Sequence, residues 1–301
     1  MTQHLAPERT ASADHPSTAG SRTRTSRTTR RAVASVAAGL AALAGVVGAP
    51  TTASAALPAV NMERVLLAAQ LDPHRDGTGT TVGAADDVLL VEQALRAKGL
   101  LGASLVDGHF GSSTTTAWRQ WENRVHATST PWADNGLPGL IELRELGDGR
   151  FTVVGAVSPG SWVTEDGETI DERTRAMFRK AEQLSGTDMY ITQGRGSASE
   201  SAGTHVGGGV IDIRVIDRPA MTDERVRALR QVGFAAWFRD YSSGPHIHAV
   251  AINDPYIAYG SHYSLCQVYQ YRFGGAGDSC SDSLAGADRD LNTWEDWQRT
   301  H

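Results

Sequence analysis

Two cysteines in 301 residues are too few for a disulfide-built scaffold, and 32 glycines and 11 prolines without a three-residue period exclude a collagen-like fibre. Aromatic residues are sparse, at 7% of the chain, yet 40% is hydrophobic overall, enough to bury the cores of two compact domains. Basic residues are scarce where a nucleic-acid partner would need them. Residues 1–55 carry 6 of the 28 Lys and Arg and 2 of the 34 Asp and Glu, so the rest of the chain holds 22 basic against 32 acidic residues. That acidic surplus argues against nucleic acid as a partner. Long apolar runs are missing too, with one exception near the N-terminus.

The exception is AVASVAAGLAALAGVVGA, which follows a Ser-, Thr- and Arg-rich stretch ending in Arg30-Arg31 and precedes Ala53-Ser54-Ala55. A basic region, an apolar region and a small-residue cleavage motif form the pattern of a secretory signal peptide, expected over residues 1–55. The run is rich in Ala and Gly and is stopped by Pro50, which makes it a poor membrane anchor. Arg30-Arg31 leaves the general secretory and twin-arginine routes both open. No other stretch approaches the ~20 apolar residues of a spanning helix. The processed chain is therefore expected outside the cytoplasm with no membrane span, where Cys266 and Cys280 can pair across a short C-terminal loop.

Residues 56–149 read as a small helical module. In DDVLLVEQALRAKGLLG, from Asp86, the residues Val88, Val91, Leu95 and Leu100 recur at helical spacing behind two acidic residues suited to the N-terminal end. A turn over residues 106–111 leads to SSTTTAWRQWENRV, with Ser112 as expected cap and Ala117, Trp118 and Trp121 facing inward. A third short helix fits Leu140 to Leu146. The segment DGHFGSSTTTAWRQWE resembles the signature of the three-helix peptidoglycan-binding module, with its Gly pair, Phe110, Thr and aromatic in one register; only the Gln after the aromatic is missing. Phe110 and Trp118 read as core residues, so peptidoglycan binding is implied by the resemblance alone.

Residues 150–170 read as a passage between domains, β-rich at Phe151–Val157. From 171 onward the pattern becomes that of an α+β domain. Asp171 opens a helix that puts Met177, Ala181 and Leu184 on one face and stops at Gly186. Apolar runs at Met189–Thr192, Val210–Ile216 and Ile247–Ile252 read as strands of one mainly antiparallel sheet. Between the last two lies a helix with Thr222 as cap and Val226, Leu229 and Val232 inward. The chain as a whole is expected to be α+β, a small three-helix bundle followed by an antiparallel sheet packed by helices.

The chemistry concentrates on that sheet. His205 sits in a Gly-rich turn, Asp212 on the strand after it, and His246 and His248 two residues apart on a later strand, where they share a face; Ile247, Val250 and Ile252 are left for packing. Two imidazoles and a carboxylate with one open position form the ligand set of a hydrolytic zinc site. Trp237 and Phe238, just before it, read as core, and Tyr241 as equally suited to core or substrate wall.

HVGGGVID is similar to the H-x-x-G-x-A-x-D segment, and PHIHAV to the closing H-x-H, of the zinc peptidases that group D-Ala-D-Ala peptidases with lysostaphin-like enzymes. Ile191-Thr-Gln-Gly-Arg195-Gly-Ser197 looks like the S-G-Y-R-S segment of the D-Ala-D-Ala branch. The resemblance spans about 171–271. It implies His205, Asp212 and His248 as zinc ligands, His246 as the catalytic or supporting histidine, and Arg195 as the group that orients substrate or steadies an oxyanion. Val210 replaces the usual Ala, Gly203 the Ser two before the first His, and Gln193-Gly194 the Gly-Tyr pair. The D-Ala-D-Ala branch also has an acidic base three residues before its last ligand, where this chain has Pro245 before His248; the base would then be His246 or a carboxylate such as Asp240. Together the two resemblances imply a secreted zinc peptidase of peptidoglycan, carboxypeptidase or endopeptidase, tethered by a wall-binding module. The alternative is a non-catalytic wall-binding protein with a degenerate metal domain.

Overall fold

Asn61 opens the first helix, its side-chain oxygen accepting the Arg64 N–H at 3.2 Å, and α1 (Met62–Leu71) buries Val65, Leu66 and Leu71. Helices α2 (Ala85–Ala97), α3 (Ser112–Val125) and α4 (Leu140–Leu146) follow. Val88, Val91, Leu95, Ala117, Trp118 and Trp121 are buried as the helical period requires. Ser112 is not the cap of α3: Gly111 holds that position, and no side chain bonds the free N–H groups there. The computed structural model describes residues 55–75, 77, 79–126, 134–196, 203–240, 244–257, 262–273 and 290–301. The expected leader, Ser197, Tyr241 and Cys280 lie outside the described residues.

The passage between the expected domains contains strands. β1 (Ala59–Asn61) pairs in parallel with β2 (Thr152–Val154), while β3 (Trp162–Glu165) and β4 (Glu168–Asp171) form a hairpin turned by Asp166 and Gly167, both at positive φ. Asp171 caps α5 (Glu172–Ser185) by accepting the Thr174 N–H at 2.7 Å, and Gly186, at φ 65°, ends it. Met177 and Ala181 are buried on α5, but Leu184 is 40% exposed and Phe178 takes the inward place. The main sheet is antiparallel, in the order β5 (Ile191–Gln193), β6 (Val210–Arg214), β8 (His246–Ala251), β7 (Phe234–Arg239). α6 (Thr222–Gln231) precedes β7 and buries Val226 and Leu229. Thr222 is the first residue of that helix and not its cap; its hydroxyl donates to the Pro219 carbonyl at 2.8 Å. Helices α7 (His262–Phe273) and α8 (Trp294–Thr300) complete an α+β fold.

Both faces of the sheet are covered. Ile211, Ile213, Ile247, Ala249 and Phe234 pack with Met177, Phe178 and Leu229 from α5 and α6. On the opposite face Val210, Val250, Ala235 and Trp237 join one continuous apolar cluster with α1, α2, α3 and α7. Strand alternation therefore splits the expected packing set: Ile247 lies under α5 and α6, whereas Val250 shares the histidine face. Residues Ser54–His301 form one compact unit. Polar side chains reinforce it. The Asn253 N–H donates to Gln70 of α1 at 3.0 Å, and the Asn135 amide donates to the carbonyls of Pro255 and Ile257 at 2.7 and 2.6 Å.

Candidate metal centre

The register of β6 against β8 sets Asp212 directly opposite His248, so the two side chains are cross-strand neighbours on one face. His205 reaches them from the turn before β6. Its carbonyl accepts the Gly196 N–H at 2.8 Å and its Nδ1 lies 3.1 Å from the Gly194 carbonyl, which ties the turn to the segment after β5. Gly208, in that turn, is closely packed: a Cβ there would sit 3.0 Å from both the Asp171 carboxylate and the Tyr256 Cβ, so those neighbours would have to give way.

His205, Asp212 and His248 bring one ligand atom each to within 4.8 Å of one another. Asp212 Oδ1 lies 2.7 Å from His248 Nδ1, and Oδ2 lies 3.4 Å from His205 Nε2. Both rings are enclosed, with His205 1% and His248 5% exposed. Trp237, 1% exposed as its reading as core requires, stacks on the His248 ring at 6.4 Å between centroids; Phe238 is half-buried against the other face. Burial alone would raise the Asp212 carboxyl, but hydrogen bonds and charge from His205 and His248 outweigh it and hold the group well below the usual carboxylate range. Burial pushes the His248 imidazole below its ordinary value, with Asp212 opposing.

The hydrogen-bond partners on the far side of each ring decide what the near side offers. A carbonyl only accepts, so a neutral His205 that gives its N–H to Gly194 from Nδ1 has Nε2, on the Asp212 side, as its ligand atom. His248 stands between two acceptors, Asp212 Oδ1 at 2.7 Å from Nδ1 and the side-chain oxygen of Gln267 at 3.0 Å from Nε2, so its one N–H has a partner on either side. Two imidazole nitrogens and a carboxylate converge in a buried space, a donor set that a metal cation satisfies once each nitrogen turns a lone pair to it. The residues present fit a metal ion on that ground.

The two remaining expected residues stand beside the cluster and not within it. His246 is half-buried, with Nδ1 3.0 Å from the Gly244 carbonyl and Nε2 3.8 Å from Asp212 Oδ2. Arg195 lies between the two backbone groups that hold His205, and its guanidinium rests 4.5 Å over the Trp162 ring, which stacks on Tyr256 at 5.6 Å. Asp240 is exposed just past β7. Sequence reasoning missed Trp162 and Gln267. The Asp166-Gly167 pair between alternating segments signalled the hairpin that carries Trp162; nothing in the local pattern marks Gln267. Comparison of this chain with protein-family models, with curated proteins and with solved structures finds no match.

Proposed function

We propose that the protein is a secreted zinc peptidase that cuts the stem peptides of peptidoglycan and is held at the wall by its N-terminal helical part. The observation that carries this reading is the buried convergence of His205, Asp212 and His248, with His246 at its edge. A zinc ion held by those three residues would supply Lewis acidity, polarising a scissile carbonyl and acidifying water to a pKa of roughly 7.

The rest is work for the chain. A neutral His246 that gives its N–H to the Gly244 carbonyl from Nδ1 would have Nε2 as its base, on the Asp212 side, to take a proton during attack and return it to the leaving amine. Arg195, its guanidinium 4.5 Å over the Trp162 ring, is of the charge that a substrate carboxylate or carbonyl would pair with. Trp237 closes one side of the cluster to water. A 280 Å³ cleft lined by Leu101, Leu105, Ser112, Thr116 and Gln120 supports the wall-binding half of the proposal, since it offers apolar surface and hydroxyl groups together.

The test is to measure zinc in the purified protein and to look by mass spectrometry for new peptide ends in digested peptidoglycan. Equimolar zinc with new ends, both lost in His205→Ala, is the expected result. Zinc without new ends would leave the non-catalytic wall-binding reading, and no zinc in the intact protein would remove the metal centre itself.

A further inference from the structure

We propose that Gln267 is a positioning residue for the metal centre, its side-chain oxygen on α7 holding the His248 ring so that Nδ1 turns a free lone pair toward Asp212 and His205. The proposal rests on the metal reading above and deepens it.

His248 is flanked by two acceptors, one on each side of its ring. Asp212 Oδ1 lies 2.7 Å from Nδ1, and Gln267 Oε1 lies 3.0 Å from Nε2. A neutral imidazole has one N–H to give. If it goes to Asp212, the lone pair is left on Nε2, facing away from Asp212 and His205. If it goes to Gln267, Nδ1, Asp212 and His205 Nε2 form a set of three acceptors around one space. Asp212 is the stronger acceptor because it is charged. The Gln267 amide oxygen is what makes the second arrangement available, and a cation in the cluster then completes it.

The amide is well placed to act as a fixed support. Gln267 is 6% exposed, and its neighbours along α7, Val268 and Tyr271, are buried in the cluster that also holds Trp237. Tyr271 meets Trp237 edge-on at 5.8 Å, and Trp237 in turn stacks on His248. Ring plane and ring tautomer are thus set by two groups with a common packing. Neither belongs to the strand motif that supplies the ligands.

The test compares the purified wild-type protein with Gln267→Leu, which keeps the volume and removes the acceptor, and Gln267→Glu, which keeps an acceptor at the same place. Zinc affinity is read by competition with a chromophoric chelator, and the His248 tautomer by long-range ¹H–¹⁵N correlation in the zinc-loaded protein. Expected are a proton on Nε2 of His248 in the wild type, a loss of zinc affinity of about 10- to 100-fold in Gln267→Leu, and affinity restored to within about threefold or better in Gln267→Glu. Thermal unfolding of the metal-free proteins separates this from a general loss of structure. Wild-type affinity in Gln267→Leu, or a zinc-loaded wild type with the His248 proton on Nδ1, would overturn the proposal while leaving the metal centre intact. The second result needs no variant to fold. A wild type that binds no zinc would overturn both.

Discussion

Gly209, between the His205 turn and β6, has a backbone at φ 74°, and a Cβ there would lie 2.8 Å from the Cβ of buried Asp254. Its N–H also donates to Asp171 Oδ2 at 3.1 Å, so the backbone cannot swing aside without giving up that bond to the residue that caps α5. Gly209→Ala should therefore cost roughly 2–4 kcal/mol, from left-handed strain and overpacking together, and urea unfolding would show it. The residues of the His205, Asp212 and His248 cluster were themselves legible. Two histidines with one residue between them on a strand share a face whatever the rest of the fold does, and Asp212 follows His205 at strand-compatible spacing. Gln267 was not legible, because its role comes from the tilt of a helix against a sheet about 20 residues away in sequence.

A second residue gives the stability its pH dependence. Glu122, buried on α3 with Glu142 and Asp134 nearby, has its carboxyl pushed up to about 9, chiefly by burial, although the Gly136 N–H and the Trp118 indole donate to it. Below about 4.5 the folded and unfolded chains are both protonated there. Between that pH and about 9 the folded state keeps a proton that the unfolded state releases, so stability falls as pH rises, by up to about 1.4 kcal/mol per unit from this group. Burial raises Asp72 and Glu92 in the same direction. Urea midpoints between about pH 5 and about pH 8 should fall in the wild type, and Glu122→Gln should fall less steeply, whatever its baseline.

Among the elements, α8 ties together parts of the fold that are distant in sequence. Its Glu295 accepts from both Nε and Nη2 of Arg173 on α5, at 2.8 and 2.9 Å, and its Arg299 donates to both oxygens of Glu63 on α1, each at 2.8 Å. The two pairs look alike but differ in burial: the Arg173 side chain is 3% exposed, that of Arg299 53%. Glu295→Ala leaves a buried guanidinium short of its main partner and should cost roughly 3–5 kcal/mol. Arg299→Ala should cost less than about 1 kcal/mol. Denaturation of the two variants side by side checks both.

Helices α2 to α5 were visible in the sequence because each combines an apolar stripe with a start or stop that has a local cause, as with Asp171 and Gly186. Strand β7 was not. Phe-Ala-Ala-Trp-Phe is apolar at every position because the strand is covered on both faces, so the alternation that marks a half-exposed strand is absent. Alternation alone puts Val250, three residues further on, on the face opposite Ile247.

At the scale of the whole molecule, the helical part packs on the histidine face of the sheet through the cluster that includes Trp237, Val250 and Tyr271. A flexible tether would show no such shared core. The acidic surplus of residues 56–301 bears on wall binding as well, since bulk attraction cannot draw a negative protein to anionic wall polymers. If recognition is local, raising salt from about 0.05 to about 0.3 M should change the fraction bound in a peptidoglycan pull-down by less than about threefold. A loss of tenfold or more would mean that charge, and not the cleft on the helical part, does the holding.

The bond from Asn253 to Gln70 spans 183 residues and that from Arg299 to Glu63 spans 236. Helix α1 thus waits for these partners until residues 253 and 299 have been made. Contacts of such long range slow folding and lengthen the time that apolar faces of α1 and β1 stay uncovered. For this protein the vulnerable moment is the interval before α1 meets Asn253 and Arg299, and what shields α1 during that interval governs its yield.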